Sequence, residues 1–514
     1  MLRNIIIRNR YVDSVMLMSI AAKAKGWAGV EEVSAMMGTG ANKELLSSAG
    51  LLADEGRAAA PMDLVIAVRA ADEAAAVKAA AAVQEFLSRR PETPAGDAKA
   101  APRSLSGALS AMPDANLLFI SLPGAYARRE AEAALDRGLH VMIFSDNVPI
   151  GEEIALKKKA RGLGLIVMGP DCGTAIIGDV ALGFANVVNH GPIGIVGASG
   201  TGIQEVSCII SNSGLGITHA IGLGGRDLKE EVGGISMLQG IEALDADPAT
   251  KLIVLISKPP APSVAARVLD RAEKCSKPVV VNFLKGDPAE AAKRGLAFSP
   301  TLEEAALMAV EMAGGQARPP AGVAPEVRLI AAEERARLAP GQNYIRGLFS
   351  GGTLTDEALL VLRDYVGECH SNTPLVPGMK LADAGKSVEN CLVDLGDDEF
   401  TRGRPHPMID FTLRCERIVR EAEDPETAVI LLDVVLGYGS HPDPARELVP
   451  AIEEARTRAG GRHIAHVASI TGTDGDPQNR ARQRIALERA GVRVMETNAR
   501  AARLAGLIAS KGAN

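Results

Sequence analysis

The stretch GIVGASGTGIQEV (residues 194–206) decides how this chain is read. An apolar run enters a turn of Gly, Ser and Thr, and an amphipathic run leaves it. A strand that ends this way and opens a helix aims free backbone N–H groups and a positive helix end at one point. Gly197, Gly200 and Gly202 let the backbone approach an anion, and Ser199 or Thr201 can cap the helix or donate to an oxygen. Two readings stand side by side: an anion cradle, or a helix start whose small residues serve only as caps. The loop is not a P-loop, because no Lys-Ser/Thr pair follows. Its Gly-x-x-Gly-x-Gly spacing also differs from the dinucleotide fingerprint.

Outward from this loop the chain alternates strand and helix. Before it lie ANLLFISLPG (115–124), HVMIFSD (140–146) and LIVMGP (165–170), the first two followed by helical runs. After it come HAIGLGG, TKLIVLISKP and KPVVVNFLKG. A charged, Pro-rich connector (315–341) leads to a further set, YIRGLFSGGTLTDEALLVLRD, NCLVDLG, ETAVILLDVVLG, RHIAHVAS and VRVMETN. Strands ending in Gly, Ser, Asn or Asp before helices are the grammar of doubly wound sheets, which bind ligands at the carboxyl ends of their strands. GLFSGGTLTDEAL (347–359) echoes the opening stretch, so Gly351, Gly352 and Thr353 form a second candidate cradle. The first 92 residues read strand, helix, strand, strand, helix, a small α+β sandwich of the ferredoxin-like kind, with its first helix over VDSVMLMSIAAKAKG. PETPAGDAKAAPR (91–103) reads as a linker. The expected class is α/β with a preceding α+β domain: 1–92 ferredoxin-like, 104–190 Rossmann-like of the CoA-binding type, 191–318 and 342–514 flavodoxin-like.

Composition narrows the function. The net charge is −7, aromatics make up 3% and no long basic run occurs, which disfavours nucleic acid and anionic membranes. No apolar stretch approaches the length of a membrane span. Six scattered cysteines with no C-x-x-C pair predict a reducing, cytoplasmic setting, no disulfide framework and no zinc site. Within GPDCGTAIIG (169–178), Asp171 and Cys172 are candidates to face a ligand, and Asn147 is a further candidate for binding substrate; Cys172 reads as a nucleophile only if a base adjoins it, and otherwise as a structural thiol. His441, in GYGSHPDPA, and His406, in GRPHP, sit in loops where a histidine can be catalytic or merely superficial. His463 and His466 fall in a strand-like run where i and i+3 face opposite ways, so no metal site is expected. The loop ASITGTDGDPQN (468–479) reads either as a holder of a small carboxylate or amide, or as plain surface.

Residues 104–514, through GPDCGTAIIG, GPIGIVGASGTGIQEV, GITHAIGLGGRDL and KPVVVNFLKG, resemble the succinyl-CoA synthetase α-subunit, and the last unit resembles the carboxy-terminal domain of that enzyme's β-subunit. The whole chain resembles the FdrA family of acyl-CoA-synthetase-like proteins. In the synthetase two helices aim their N-termini at one phosphate, so the resemblance implies a phosphate shared by Gly197–Gly202 and Gly351–Thr353. It also implies a phosphohistidine in the loop after KPVVVNFLKG, where this chain has no histidine, and a supporting glutamate where it has Lys258. The ATP-grasp domain is absent. The FdrA resemblance implies a subunit of an oxamate carbamoyltransferase, which interconverts oxalurate and phosphate with oxamate and carbamoyl phosphate in allantoin breakdown. Lys258 and His441 are then the candidate catalytic residues, and phosphate or carbamoyl phosphate the ligand; CoA is the cofactor of the synthetase-like alternative. Partners would be other subunits of the same pathway, or further copies of this chain. The alternatives are an acyl-CoA synthetase subunit and a non-catalytic scaffold or sensor.

Overall fold

Period-two burial sets the N-terminal sheet. In the central strand, Leu64–Ala70, the residues Leu64, Ile66 and Val68 pack with Ala76, Ala79 and Val83 of helix Glu73–Ser88, while Val65 and Ala67 meet Leu46, Leu51 and Ala59 on the other face. The structure, a computed structural model, describes residues 1–8, 10, 27, 29–88, 102, 104–317, 322–401 and 404–510. It forms two units: Met1–Pro113 with Thr401–Pro405, and Asp114–Phe400 with His406–Asn514. The expected helix over 12–26 and nearly all of the linker over 91–103 lie outside the described residues. Strands Leu2–Ile7 and Val30–Met37 flank Leu64–Ala70, both antiparallel to it. Helices Gly40–Ser48 and Asp54–Ala58, absent from the sequence reading, fill the long connection. The first unit also takes in helix Leu105–Ala111, which the sequence reading gave to the next domain.

The second unit has three sheets. The smallest is parallel: Leu117–Ile120, His140–Ile143, Val167–Met168. The next runs, in spatial order, Ala297–Phe298, Val279–Phe283, Leu252–Ser257, His190–Ala198, Ile217–Gly222, Thr174–Ile177, Val180–Gly183. Its last two strands are an antiparallel hairpin that adds to the edge of Ile217–Gly222. By sequence alone this stretch reads as irregular, because it carries four glycines and only a short alternation. The hairpin therefore belongs to the second sheet, ahead of the expected boundary at 190. The third sheet is parallel throughout: His370–Ser371, Cys391–Asp394, Tyr344–Phe349, Thr427–Val435, Ala465–Thr471, Arg493–Met495. The connector carries a helix, Pro325–Ala336, that packs on helix Asn498–Ala509.

The second and third sheets share one apolar core. Helix Gly200–Asn212 (the Gly200 helix) and helix Gly352–Val366 (the Gly352 helix) lie in it, with Ile203, Val206, Leu354 and Ala358 in a single cluster. The sixth residue of each is a buried glutamate that caps a helix of the other layer. Glu205 accepts the Asn498 N–H at 2.9 Å, opening helix Asn498–Ala509. Glu357 accepts the Leu302 N–H at 2.6 Å, opening helix Leu302–Met312, and the Asn498 side-chain amide at 2.8 Å. The exchange is reciprocal, and each carboxylate fills an orphan donor that a helix start leaves.

Burial, together with the neighbouring Glu205, pushes the Glu357 carboxyl up to about 8. The folded chain thus keeps a proton that the unfolded chain releases in the usual carboxylate range. Between those limits the native state binds more protons, so its stability falls as pH rises. Glu357→Gln removes this titration and keeps an acceptor for Leu302. Thermal melts from pH 5 to 8 should show the wild type losing melting temperature more steeply than Glu357→Gln; parallel curves would show that Glu357 carries no proton.

Candidate functional site

Each large sheet reverses its strand order at one strand. His190–Ala198 lies between Ile217–Gly222 and Leu252–Ser257, and Tyr344–Phe349 lies between Cys391–Asp394 and Thr427–Val435. The crevice outside such a strand's carboxyl end is where open α/β sheets take ligands. Both crevices open on the two candidate loops. Ser199 caps the Gly200 helix by accepting the Gly202 N–H at 2.9 Å. Its hydroxyl also meets the Thr353 hydroxyl at 2.6 Å, and a Cβ on Gly351 would fall 2.9 Å from Thr201 Cγ2. The two helix ends therefore touch.

The Gly352 helix has no side-chain cap of its own. Asp433, fully buried in the neighbouring strand, supplies one: it accepts the N–H groups of Ser350 and Gly351, each at 2.8 Å, and the Ser350 hydroxyl at 3.0 Å. Arg414, also buried, balances it at 2.7 Å and donates to Leu348 O at 2.7 Å. Within the first loop the glycines divide. Gly197 is spent on packing, since a Cβ there would lie 2.6 Å from Ile203. Gly202 makes room for the Ser199 cap. Gly200 and Thr201 remain partly open, as does Gly352 in the second loop.

Lys258 follows strand Leu252–Ser257 and reaches the Gly352 helix end. Its ammonium lies 3.7 Å from Asp356, and 39% of the side chain is open to solvent. A Cβ on Gly352 would fall 2.6 Å from both Lys258 Nζ and Asp394 Oδ2. A Cβ on Gly396 would fall 2.7 Å from Ser350 O, 2.9 Å from His406 Nε2 and 3.1 Å from Asp394 Oδ1. Neither glycine has a positive φ. Space, not backbone conformation, is what a side chain would take from them. Desolvation lowers the Lys258 ammonium, but Asp356, Asp394 and Asp171 outweigh it and hold the group above the usual lysine range. Burial pushes Asp394 up to about 7 against the pull of Lys258.

The other candidates fall unequally. Asp171 is solvent-exposed with φ 56°, and its N–H is held by Ser145 O at 3.0 Å. Asn147, exposed with φ 54°, belongs to the adjoining loop. Cys172 does not face a ligand: it is 2% exposed, donates to Thr174 O at 3.6 Å, and burial pushes its thiol up to about 12. His441 is turned away from both loops; its ring accepts the Asp443 N–H at 3.1 Å, lies 3.9 Å from Glu447 and packs on the Phe411 edge. His406 is the histidine that reaches the site. Its Nδ1 accepts the Met408 N–H at 3.3 Å, its ring stacks on Phe184, and burial pushes it down to about 4, so it is a neutral ring with its proton on Nε2. The loop 468–479 holds chain rather than a small ligand: Asp476 accepts the Val187 N–H and the Asn186 amide, each at 2.8 Å. His463 pairs with Glu334 at 2.6 Å, while His466 is buried in its strand.

Three family models match the chain: CoA-ligase over residues 348–508, the CoA binding domain over 188–286, and the AllF heavy metal-associated domain over 1–103. The CoA-binding match thus falls on the second sheet, not on 104–190 as the sequence reading had it. The first cysteine of the chain is Cys172, so the segment matched as heavy metal-associated offers no thiol. The protein YahF of Escherichia coli (strain K12) is 44% identical over 94% of both chains. The succinate–CoA ligase (ADP-forming) subunit alpha of Methanothermobacter thermautotrophicus is 28% identical over 35% of this chain, a match that spans 61% of that subunit. A solved structure from Pyrococcus horikoshii OT3 aligns with TM-score 0.33 and 16% identity over 77% of this chain and 84% of that one.

Gly352→Ala would put a methyl between Lys258 and Asp394. At 2.6 Å the methyl must displace the Lys258 ammonium and crowd the buried Asp394 carboxylate. The expected result is a folded protein with a modestly lowered melting temperature and loss of the rise that inorganic phosphate gives the wild type. A phosphate-induced rise retained in Gly352→Ala would place the anion elsewhere.

Proposed function

Because the chain belongs to the FdrA-type family of acyl-CoA-synthetase-like proteins, within the succinyl-CoA synthetase superfamily, we propose that it is a CoA-ligase-like subunit acting on an acyl phosphate held at the junction of the Gly200 and Gly352 helices. The observation that carries this is the contact between the two helix ends, Ser199 to Thr353, with the Lys258 ammonium beside it. Each helix end carries roughly half a positive charge and unpaired N–H groups. Two such ends and an ammonium suit the charge that gathers on a phosphate as its acyl group departs. Gly200, Thr201, Gly352 and Thr353 would contact the phosphate, and Lys258 would pair with it. Asp171 and Asn147 stand at the strand ends of the small sheet, where the acyl portion or its acceptor would lie. A nucleotide-binding partner chain would complete a ligase.

A second reading, carbamoyl transfer between oxamate and carbamoyl phosphate, draws on one observation. The loop after strand Val279–Phe283 has no histidine to carry a phosphoryl group; Lys285 there donates to Leu375 O at 2.7 Å. At the helix start at Gly124 a Cβ would lie 2.2 Å from Asp146 O, so that glycine serves close packing of the adjoining loop. Carbamoyl phosphate is itself an acyl phosphate and needs neither carrier nor CoA.

The readings separate in one assay with the protein and the products of neighbouring genes. CoA-dependent nucleotide cleavage in the presence of a carboxylic acid supports the ligase. Carbamoyl phosphate formed from oxalurate and phosphate supports the transferase. No turnover with any partner set would leave the scaffold reading and sink both. In either enzyme Lys258→Met should weaken phosphate binding by about tenfold or more, the worth of one charged contact, measured by equilibrium dialysis. An unchanged affinity would remove Lys258 from the site.

A further inference from the structure

Asp394 ends strand Cys391–Asp394 with its side chain 4% exposed, and its two oxygens are unequally served. Oδ1 accepts the Gly396 N–H at 2.9 Å. Oδ2 points at the start of the Gly352 helix and accepts no hydrogen bond among the described residues. The groups facing this carboxyl are Lys258 from the loop after Leu252–Ser257, Asp356 from the Gly352 helix, Asp397 from its own loop and His406 from the loop beyond. Lys258 is nearer to neutralising Asp356, at 3.7 Å, and is shared with Asp171. An oxygen of a buried residue's carboxylate is therefore aimed, with no hydrogen-bond donor from the described residues, at the place where two helix ends would draw an anion.

We propose that Asp394 makes this site specific for a phosphate that still carries a proton, and against tetrahedral anions that are fully ionised, such as sulfate. The inference rests on the phosphate reading of the site given above. An ionised carboxylate can only accept, and so can sulfate. Placed together they repel across a short distance in a poorly solvated gap. Monohydrogen phosphate brings a proton of its own, which it donates to Asp394 Oδ2 while its other oxygens face the N–H groups of Gly352 and Thr353 and the Lys258 ammonium. One carboxylate thus converts a general anion site into one that reads protonation, rejection of the wrong anion being supplied by an unpaired charge. His406, neutral and carrying its proton on Nε2, leaves this balance unchanged through the physiological range. The species selected is inorganic phosphate itself, which an acyl-phosphate reaction consumes in one direction and releases in the other.

The test is equilibrium dialysis of the full-length protein with labelled phosphate and labelled sulfate at pH 6, 7 and 8, and with arsenate as a second proton-bearing tetrahedral anion. At pH 8 the wild type should hold phosphate about tenfold more tightly than sulfate, the cost of protonating a carboxyl raised to about 7 when the solution lies one pH unit above it. Arsenate should compete with phosphate. The gap should narrow towards pH 6, because Asp394, raised to about 7, then holds a proton it can offer to sulfate. Asp394→Asn keeps an acceptor for Gly396 and offers an amide donor to either anion, so its preference should fall to about threefold or less at every pH. If the wild type binds neither anion, the phosphate reading fails and this inference with it. If it binds phosphate and sulfate alike at pH 8, or if Asp394→Asn keeps the preference, Asp394 does not select, and the phosphate reading stands without it. The preference of the wild type for phosphate over sulfate at pH 8 tests the inference even if the variant fails to fold, since equal binding there overturns it.

Discussion

Two helices pressed together by their positive ends are the constraint that organises the second unit. Ser199 and Thr353 meet at 2.6 Å, so the first turns of both helices share a few ångströms of space. Like poles repel, and each first turn has donors that no helical carbonyl can reach. The fold answers both problems with carboxylates. Asp433 takes two of the donors at the Gly351 turn, and Asp356 and Asp394 stand beside the Gly352 helix start. The position itself is held from behind by the crossed capping of Glu205 and Glu357. Removing either glutamate would leave a helix start of the other layer with a buried unpaired N–H, so the two layers depend on each other for their helix ends.

These carboxylates set the character of the site. Four of them (Asp171, Asp356, Asp394 and Asp397) surround one lysine, and two, Asp356 and Asp394, are driven above the usual range by burial. The cluster is therefore not a plain positive cradle. Asp394, raised to about 7, is the member whose proton comes and goes at neutral pH. Lys258 is the adjustable member: it is partly open, long, and shared among the acids rather than locked to one. Contrast Lys157, which is wholly buried and fixed by Glu153 at 2.9 Å and Asp227 at 2.7 Å. Both are lysines among carboxylates, but only Lys258 has solvent beside it and a helix end in front of it.

How much of this the sequence disclosed follows from how local each signal is. The strand, the Gly/Ser/Thr turn and the helix of residues 194–206 are contiguous, and so is their echo at 347–359; both were legible, as was the doubly wound pattern around them. The hairpin at 174–183 was not, because its pairing partner Ile217–Gly222 lies beyond two further elements. Helix Pro325–Ala336 was hidden in a charged connector, since its buried contacts come from the Asn498–Ala509 helix, far along the chain. Asp394 sits at the end of CLVD, a short strand with no motif, and its meaning comes only from Gly352 and Lys258 arriving beside it. His406 and His441 look alike in sequence, each in a Pro-rich loop. The fold separates them, turning one toward Gly396 and the other toward Asp443. Cys172 shows the reverse: a residue next to an exposed Asp171 that lies wholly inside, because the chain doubles back there under Gly222.

The floor of the cleft is rigid for a reason that can be traced to backbone. Gly224 takes φ 78°, and a Cβ on it would fall 1.9 Å from Pro170 O, so the GLGG turn and the chain before Asp171 lie in direct backbone contact. Asp171 is pinned through its own N–H to Ser145 O, and Cys172 through its N–H to Ile143 O at 3.1 Å. The other side of the same turn is tied down by Asp227, which caps helix Ile235–Ala246 through Met237 at 2.9 Å and holds Lys157. The backbone that carries Asp171 therefore stays in place as an anion enters, while its exposed side chain can turn. Side-chain movement at this site falls to Lys258 and Asp171, and charge adjustment to the buried Asp394, which is the division of labour expected where a multiply charged ligand must enter and leave without the fold reorganising around it.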